Sequence, residues 1–183
     1  VEMINDILDI SRIESGQLEL KLTICNLGSL MEEAEGYALA IRTRKKRDEV
    51  TFSLQIDEVF RNQSITIDRQ KWRQIIHNLV GNAFKFTLQG RVEIGCKPGE
   101  KGVPLFYVLD TGVGIPASKQ SVIFDRFVQL HYGHPEFGSG TGLGLSIVKG
   151  LIELFEGAIW LESEPRKGTI IYFSFPEKYF RLS

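Results

Sequence analysis

The sequence predicts a two-layer α/β sandwich, with a mixed β-sheet on one layer and helices on the other. Helical and strand patterns mix along the chain, and two pairs of strands read as hairpins, over residues 91–109 and 158–175, rather than as strict βαβ alternation. At 183 residues and 43% hydrophobic composition, the chain can build one well-packed core. We therefore expect a main domain over residues 17–183, preceded by a short helix over residues 1–16.

Composition excludes several classes of function. The net charge is −1 and the Lys and Arg residues are scattered, so neither a nucleic-acid partner nor an acidic membrane surface is expected. Apolar runs such as Val103–Leu109 are too short to span a membrane, and no secretory signal opens the chain, so this piece is expected to be soluble. Cys25 and Cys96 match no zinc spacing and predict two reduced, buried thiols.

The first residues predict an amphipathic helix that ends near Gly16. No capping residue precedes Val1, so we expect the chain to start inside a longer helix. Because so short a stripe is marginal in water, it either packs on the domain behind it or joins a helical bundle, and we favour the bundle. The stripe consists of apolar residues at helical spacing: Met3, Ile4, Ile7, Leu8, Ile10 and Ile13.

Residues 17–68 predict three strands and a helix. Residues 17–25 alternate apolar and polar side chains, as a half-buried strand does, and Asn26 is a candidate N-cap for the helix that follows. That helix ends in a basic run over residues 42–47, which we interpret as a solvated helix C-terminus. Residues 50–56 and 64–67 predict short strands, and Asp68 caps the next helix.

The helix after Asp68 carries a polar face that predicts a ligand site. Asn78, Asn82 and Lys85 are spaced four and three residues apart, so they share one side of the helix near the edge of its core face. An amide oxygen can serve as one hard ligand of Mg²⁺ whose other ligands are phosphate oxygens and water, and lysine supplies a positive charge to phosphate. The alternative is ordinary surface polarity, and this is how we interpret His77, which lies off that side of the helix.

A carboxylate stands at the end of the strand over residues 103–109. Asp110 is followed by Thr111, Gly112, Val113 and Gly114. An ionised Asp only accepts hydrogen bonds, so it can select an amino donor such as adenine N6, while the two glycines admit a flat ring. The alternative is a capped turn.

Residues 117–137 predict a lid, since they are poor in regular pattern and carry the aromatic pair Phe124 and Phe127 at one end. The glycine-rich run GSGTGLGL, residues 138–145, then leads into an amphipathic helix, and a helix N-terminus preceded by glycines favours bound phosphate. The spacing matches neither the P-loop nor the dinucleotide fingerprint. The alternative is a flexible loop.

Together these segments resemble the catalytic and ATP-binding domain of bacterial sensor histidine kinases, within the GHKL superfamily that includes gyrase-, Hsp90- and MutL-type ATPases. The motifs HNLVGNAFKFT, DTGVGIP, IFDRFVQ and GSGTGLGLSIV are similar to the asparagine box, first glycine box, phenylalanine box and second glycine box. The leading segment INDILDISRIESGQLEL is similar to the end of the second helix of the dimerisation hairpin. The resemblance covers nearly the whole chain and implies the GHKL fold with a mobile ATP lid.

The resemblance implies ATP and Mg²⁺ as ligands and assigns roles residue by residue. Asn82 would bind the metal, Asn78 and Lys85 would be the catalytic side chains directed toward the phosphates, and Asp110 would bind the adenine amino group. The resemblance places Gly112, Gly114 and Thr169 at the base. It places five consecutive residues at the phosphates: Gly140, Thr141, Gly142, Leu143 and Gly144.

The resemblance also implies partners and exposes two departures. The implied partners are the phosphoacceptor hairpin of the same kinase and a downstream response regulator or receiver domain. The full-length protein would be a homodimer. The domain itself would be cytoplasmic, in a parent protein that can be membrane-anchored. Many family members carry a basic residue where this chain has Gln129, so Arg126 or a lid histidine is the expected substitute. None of His77, His131 and His134 lies in an acceptor motif, so we expect the acceptor helix to lie outside this chain.

Three alternative functions of the same fold remain open. A GHKL ATPase needs a water-activating Glu one turn before the metal asparagine, where this chain has Asn78, and an amide cannot act as that base. A regulatory module that binds nucleotide without catalysis and a serine kinase of the anti-sigma type share the fold. The last of these would not need the leading helix.

Overall fold

The computed structural model describes residues 2–130, 132–138 and 140–181. The expectations for His131 and Ser139 lie outside the described residues. The helices are α1 (Glu2–Glu14), α2 (Leu27–Arg44), α3 (Glu58–Arg61), α4 (Arg69–Phe86), α5 (Ala117–Gln120) and α6 (Gly144–Leu154). The strands are β1 (Thr23–Asn26), β2 (Val50–Ile56), β3 (Ser64–Ile67), β4 (Gly90–Pro98), β5 (Pro104–Asp110), β6 (Ala158–Glu164) and β7 (Gly168–Ser174). Short 3₁₀ turns occupy Glu100–Gly102, Pro135–Phe137 and Glu177–Phe180.

The main sheet is mixed, as the sequence predicts. Its strand order is β2-β4-β5-β7-β6; β2 runs parallel to β4, and the other neighbours are antiparallel. Both predicted hairpins are present, as β4–β5 and β6–β7. The central pairing of β5 with β7 places Asp110 opposite Thr169, which brings two distant parts of the chain to one edge of the sheet.

The core lies between this sheet and the helices. Trp72 of α4 is fully buried, and its ring packs on Phe106 of β5 and Phe173 of β7, with centroids 5.0 and 5.9 Å apart. Along β4 and β5 the side chains directed at the helices, such as Val92 and Val108, are buried, so the sheet has one apolar face. This confirms the two-layer architecture.

Side-chain caps fix the starts of the two long helices where the sequence predicts them. The Asn26 side chain accepts a hydrogen bond from the Ser29 N–H at 2.9 Å, and the Asp68 carboxylate accepts from the N–H groups of Gln70 and Lys71 at 3.0 and 3.1 Å. The other Asp68 oxygen accepts from the Lys21 N–H at 2.8 Å. These caps satisfy backbone donors that the first helical turn leaves unpaired.

The strand predicted over residues 17–25 is wrong in its first part. Only Thr23–Asn26 forms a strand, paired antiparallel with β3, and Ile24 on it is 67% exposed. Leu18 and Leu20 pack against the core from an irregular segment, since the Lys21 N–H bonds to Asp68 instead of to a neighbouring strand. The short helix α3, capped by Asp57, was not predicted.

Helix α1 packs on the domain through its second half. Ile10 is buried, and Ile13 packs against the core and lies close to Gly150 of α6. Nearer the start of α1, Ile4, Ile7 and Leu8 remain exposed. The bundle expectation and the division at residues 16 and 17 remain predictions.

Two further features follow from the described residues. Cys25 and Cys96 are both free; Cys96 is buried, but Cys25 is only half-buried. Burial, with a smaller effect of Asp57, raises the pKa of the Cys96 thiol to about 12. None of the helices in the described ranges has the length and apolar character needed to cross a membrane.

Candidate functional site

A cavity of about 440 Å³ opens between α4, the ends of β5 and β7, and the loops that precede α6. Its volume lies within the range of sites for small molecules and cofactors. The predicted site residues that line it are Asn78, Asn82, Lys85, Asp110, Gly114, Gly140, Thr141, Gly142, Gly144 and Thr169. Residues predicted from three of the four motifs, together with Thr169 of the last hairpin, therefore share one cavity.

Gly112 and Leu143 lie behind the cavity wall. The Gly112 N–H donates to Asp110 Oδ1 at 2.8 Å, and a Cβ at this position would lie 2.2 Å from the Phe86 carbonyl oxygen. Gly112 thus allows the loop to approach the end of α4, which a larger residue would prevent. Leu143 is fully buried beside α6, and its N–H donates to Thr141 Oγ1 at 3.2 Å. Both residues shape the site without facing it.

Asp110 is the acidic group at one end of the cavity. Burial raises the pKa of its carboxyl to about 6, against the opposing effect of the hydrogen bond from Gly112. The fully buried Thr87 hydroxyl lies close enough to lower that pKa, yet no hydrogen bond of ordinary geometry satisfies it among the described residues. This end therefore offers a carboxylate acceptor, Asp110.

The polar face of α4 lines the cavity, as its spacing predicts. The Asn78 Nδ2 donates to the Gln74 carbonyl at 3.0 Å, while its Oδ1 faces Gly144 at the start of α6. The Lys85 ammonium lies 4.9 Å from the centre of the Phe86 ring and 3.0 Å from the position that a Cβ on Gly140 would take. The glycine-rich loop therefore runs directly over Lys85.

Backbone contacts hold the glycine-rich loop against the lid. Gly142 has φ +71°, and a Cβ there would lie 2.9 Å from the backbone of Phe127. The Gly142 carbonyl accepts from the Phe127 N–H at 2.9 Å, and the Gln129 side-chain amide donates to the Gly140 carbonyl at 2.6 Å. Among the residues that the structure describes, no side chain caps the first N–H groups of α6.

Of the predicted aromatic pair, Phe124 is half-buried and Phe127 is exposed, and the buried side chains among the described residues of the lid are Ile123 and Phe137. Phe127 is 63% exposed and contributes its backbone N–H. Tyr132 lines the cavity and donates its hydroxyl to the Gly114 carbonyl at 2.7 Å. Burial and the nearby Asp110 raise the pKa of Tyr132 to about 12, so this phenol remains a donor at neutral pH. The mobility of the lid remains a prediction.

The expected basic substitutes for the lid position of Gln129 are placed elsewhere. The Arg126 guanidinium pairs with Glu14 of α1, and the His134 ring packs on Phe137 with centroids 4.9 Å apart. His131 lies outside the described residues. Arg126 is therefore engaged with α1 in this arrangement.

Several residues on the cavity wall were missed or read differently from the sequence. They are Asp6, Tyr37, Arg44, Lys45, His77, Phe86 and Tyr132. His77, at the rim, stacks on Tyr37 with centroids 3.6 Å apart, and burial together with Arg73 lowers its pKa. Asp6 accepts a hydrogen bond from the Thr141 hydroxyl at 3.0 Å. For Arg44 the sequence did contain a signal: it follows Ile41, which is buried, by three residues on the same helix and therefore lies on the same side of it.

Comparison with known proteins places this cavity in a family context. The profile of the family described as histidine kinase-, DNA gyrase B- and HSP90-like ATPase matches residues 67–179. The autoinducer 2 sensor kinase/phosphatase LuxQ of Vibrio vulnificus is 36% identical over 179 residues, which are 95% of this chain and 20% of LuxQ. The circadian input-output histidine kinase CikA of Synechococcus elongatus is 35% identical over 180 residues, 97% of this chain and 23% of CikA. The chain thus spans about a fifth of the length of these relatives.

Solved structures show the same fold. Full-length ShkA in complex with AMPPNP superposes with a TM-score of 0.81 at 28% identity, over 96% of this chain and 35% of that chain. The catalytic domain of the histidine kinase ThkA, in a nucleotide-free form, gives a TM-score of 0.69 at 28% identity, over 85% of this chain and 95% of that chain. The predicted fold is therefore confirmed, in its architecture and in its place among known folds.

Proposed function

Because the chain belongs to the family of histidine kinase-, DNA gyrase B- and HSP90-like ATPases, we propose that it contains the catalytic and ATP-binding domain of a sensor histidine kinase. In the proposed reaction the γ-phosphoryl group of Mg²⁺-bound ATP is transferred to a histidine on a dimerisation hairpin. The observation that carries the proposal is the single cavity into which Asp110, Asn82, Lys85 and the glycine-rich loop converge. Relatives named sensor kinases support it.

The acidic end of the cavity fits adenine. At neutral pH a carboxyl with a pKa of about 6 is mostly ionised, so Asp110 accepts a hydrogen bond from the adenine amino group. Gly114 and Thr169 border the base in this arrangement.

The other end of the cavity fits a metal-bound triphosphate. Asn82 would provide one oxygen to Mg²⁺, while Asn78, Lys85 and the loop from Gly140 to Gly144 would contact the phosphates. Within the described ranges, no cluster of three His, Cys, Asp or Glu side chains could hold a metal, which fits an ion bound mainly by phosphate oxygens and water. When bound, Mg²⁺ neutralises charge on the phosphates during transfer.

The surroundings of Asn78 support a kinase over an ATPase of the same fold. The Asn78 Nδ2 donates to the Gln74 carbonyl, and an amide has no basic site with which to activate water. The described residues at this position thus supply charge and alignment for transfer, without a general base for hydrolysis. Alignment and electrostatic stabilisation account for most of the catalysis of phosphoryl transfer.

The remaining parts of the proposal concern the parent protein. Residues 1–16 would be the end of the hairpin helix and residues 17–183 the catalytic domain, in agreement with the exposed apolar side chains Ile4, Ile7 and Leu8 on α1. We propose a homodimer through that hairpin, a response regulator or receiver domain as the next phosphate acceptor, and a cytoplasmic location, where ATP is available.

Calorimetric titration and a transfer assay test this function. The isolated chain should bind Mg-ATP, neither label itself on histidine nor release phosphate briskly, and label an added two-helix hairpin that carries an acceptor histidine. The label should be acid-labile and base-stable. Asn82→Ala should remove the dependence of binding on Mg²⁺, whereas Gln55→Ala, an exposed residue of β2, should not. Brisk phosphate release that Asn82→Ala abolishes would instead identify an ATPase.

A further inference from the structure

The basic run that ends α2 divides into two structural groups. The Arg42 side chain donates to the carbonyls of Arg47 and Asp48, both at 3.4 Å, and the Arg47 Nε donates to the Phe84 carbonyl at 2.9 Å. These two arginines hold the turn after α2 and tie it to the end of α4. Arg44 and Lys45 instead line the cavity, although the sequence suggested one solvated surface for the whole run.

Packing between α2 and α4 fixes where these two cations lie. The stacked rings of Tyr37 and His77 and the buried Ile41 hold the last turns of α2 beside the polar face of α4. Lys45 is half-buried there, and its charge is close enough to Lys85 to lower the pKa of Lys85 further, after the larger effect of burial. Two ammonium groups held near each other beside a cavity repel, and an anion between them would relieve that repulsion.

Charge on the rest of the cavity wall makes this position significant. Gln129 is neutral and Arg126 pairs with Glu14, so neither is placed as the cation that we expected from the lid. Among the described residues that line the cavity, the Lys and Arg side chains are Arg44, Lys45 and Lys85. Two of these three therefore come from the end of α2.

We infer that Arg44 and Lys45 bind the phosphate chain of the nucleotide, together with Lys85. The inference rests on the proposed binding of ATP and deepens it, because it assigns to α2 the positive charge that the lid lacks. The effect of these two residues should therefore increase with the number of phosphates on the ligand and vanish for the nucleoside. A role limited to the negative end of the α2 dipole would change stability but not ligand preference.

A charge scan within the basic run separates these two roles. Affinities for ATP, ADP, AMP and adenosine should be measured by calorimetry at fixed Mg²⁺ for wild type, Arg44→Gln, Lys45→Gln and the double variant. The matched control is Lys46→Gln, which removes the same charge from an exposed residue that does not line the cavity. Each cavity variant should weaken ATP about tenfold, ADP less and adenosine not at all. Lys45→Arg should retain ATP affinity, and the double variant should show a shallower dependence on salt.

The outcomes distinguish this inference from the function on which it rests. If wild type binds neither ATP nor adenosine, the proposed function fails. If wild type binds ATP but Arg44→Gln and Lys45→Gln bind it as wild type does, or no more weakly than Lys46→Gln, the inference is overturned and the function stands. Equal losses for ATP and adenosine would also overturn it, since they indicate a distorted site. Thermal unfolding of each variant identifies any that fold incompletely. If Lys45→Gln does so, the ATP affinity of Lys45→Arg tests the role of that position.

Discussion

The substitution Asp110→Asn should separate two effects of this carboxylate. One is the unfolding free energy that is lost when an ionised group is buried, and the other is the contribution of the carboxylate to adenine binding. Burial raises the pKa of Asp110 from 3.8 to about 6. At 1.36 kcal/mol per pKa unit, this rise corresponds to about 3 kcal/mol of unfolding free energy lost when the group is ionised. Asn has nearly the same shape and carries no charge, so it removes the burden of an ionised group in this pocket.

The sign of the pH dependence follows from the direction of the shift. The folded chain holds the Asp110 proton more tightly than the unfolded chain does, so protonation stabilises the fold at low pH. That stabilisation is complete below pH 3.8 and is lost as the pH rises to about 6. Between pH 4.5 and 7.5, wild type should therefore lose about 2 kcal/mol of unfolding free energy relative to Asp110→Asn.

Hydrogen bonds reduce the net gain of the variant at neutral pH. In Asp110→Asn the new amide oxygen could still accept from the Gly112 N–H, but the new NH₂ group cannot accept a hydrogen bond from the nearby donors, which include the Thr169 N–H. A mismatch of this kind costs about 1–3 kcal/mol. The net change at pH 7.5 is thus small, whereas the difference between the two pH values depends little on this mismatch.

Urea denaturation at pH 4.5 and 7.5, with adenosine binding at pH 7.5, measures both effects. Asp48→Asn, on an exposed loop, is the matched control and should show little change. Adenosine affinity should fall about tenfold or more in Asp110→Asn, because an amide donor would face the adenine amino group. If wild type and variant show the same pH dependence of stability, the carboxyl is not buried as described. If stability behaves as expected but adenosine binds as before, the base is bound elsewhere.

Three other perturbations test the loop, the core and the lid. Gly142→Ala should weaken nucleotide binding and lower the unfolding free energy by about 1–2 kcal/mol, because φ is +71° and a Cβ would meet the Phe127 backbone. The control Gly36→Ala should do neither, because nothing lies within 4 Å of a Cβ at that position. Calorimetry and urea denaturation of both variants would show the contrast. Trp72→Ala should lower the unfolding free energy by about 3–5 kcal/mol, since this fully buried ring is central to the core; a loss under about 1 kcal/mol in urea denaturation would contradict that packing. Amide hydrogen exchange over residues 116–137 should slow when Mg-ATP binds, and equal rates with and without nucleotide would indicate a rigid loop.

Local signals account for the parts of the fold that the sequence predicted well. Asn26 and Asp68 cap the helices that follow them, and the apolar face of α4 is buried as its period requires. The segment over residues 17–22 failed because its alternation is satisfied without a strand: Leu18 and Leu20 reach the core while the Lys21 N–H bonds to Asp68. Alternation indicates which side chains face inward, but pairing decides whether a strand forms.

The candidate site was partly predictable for a different reason. Asn78, Asn82 and Lys85 are neighbours on one helix, so their spacing alone places them together. Asp110 and Thr169 meet only because β5 pairs with β7, and the sequence contains no local sign of that pairing. The position of Arg44 and Lys45 depends likewise on how α2 packs against α4, which is why a local reading assigned them to solvent.

The electrostatics of the two ends of the cavity point to the same conclusion about the ligand. Burial raises the pKa of Asp110 and lowers the pKa of Lys85, so the folded site makes both charged groups less favourable than they are in water. A hydrogen-bond donor at Asp110 and an anion at Lys85 would reverse both effects at once. A ligand with an amino group at one end and phosphates at the other matches this pattern, whereas an inorganic anion or a free base would relieve only one end. ATP should therefore bind more tightly than adenosine or inorganic triphosphate, and at equal free ligand concentration it should stabilise the fold more than either does.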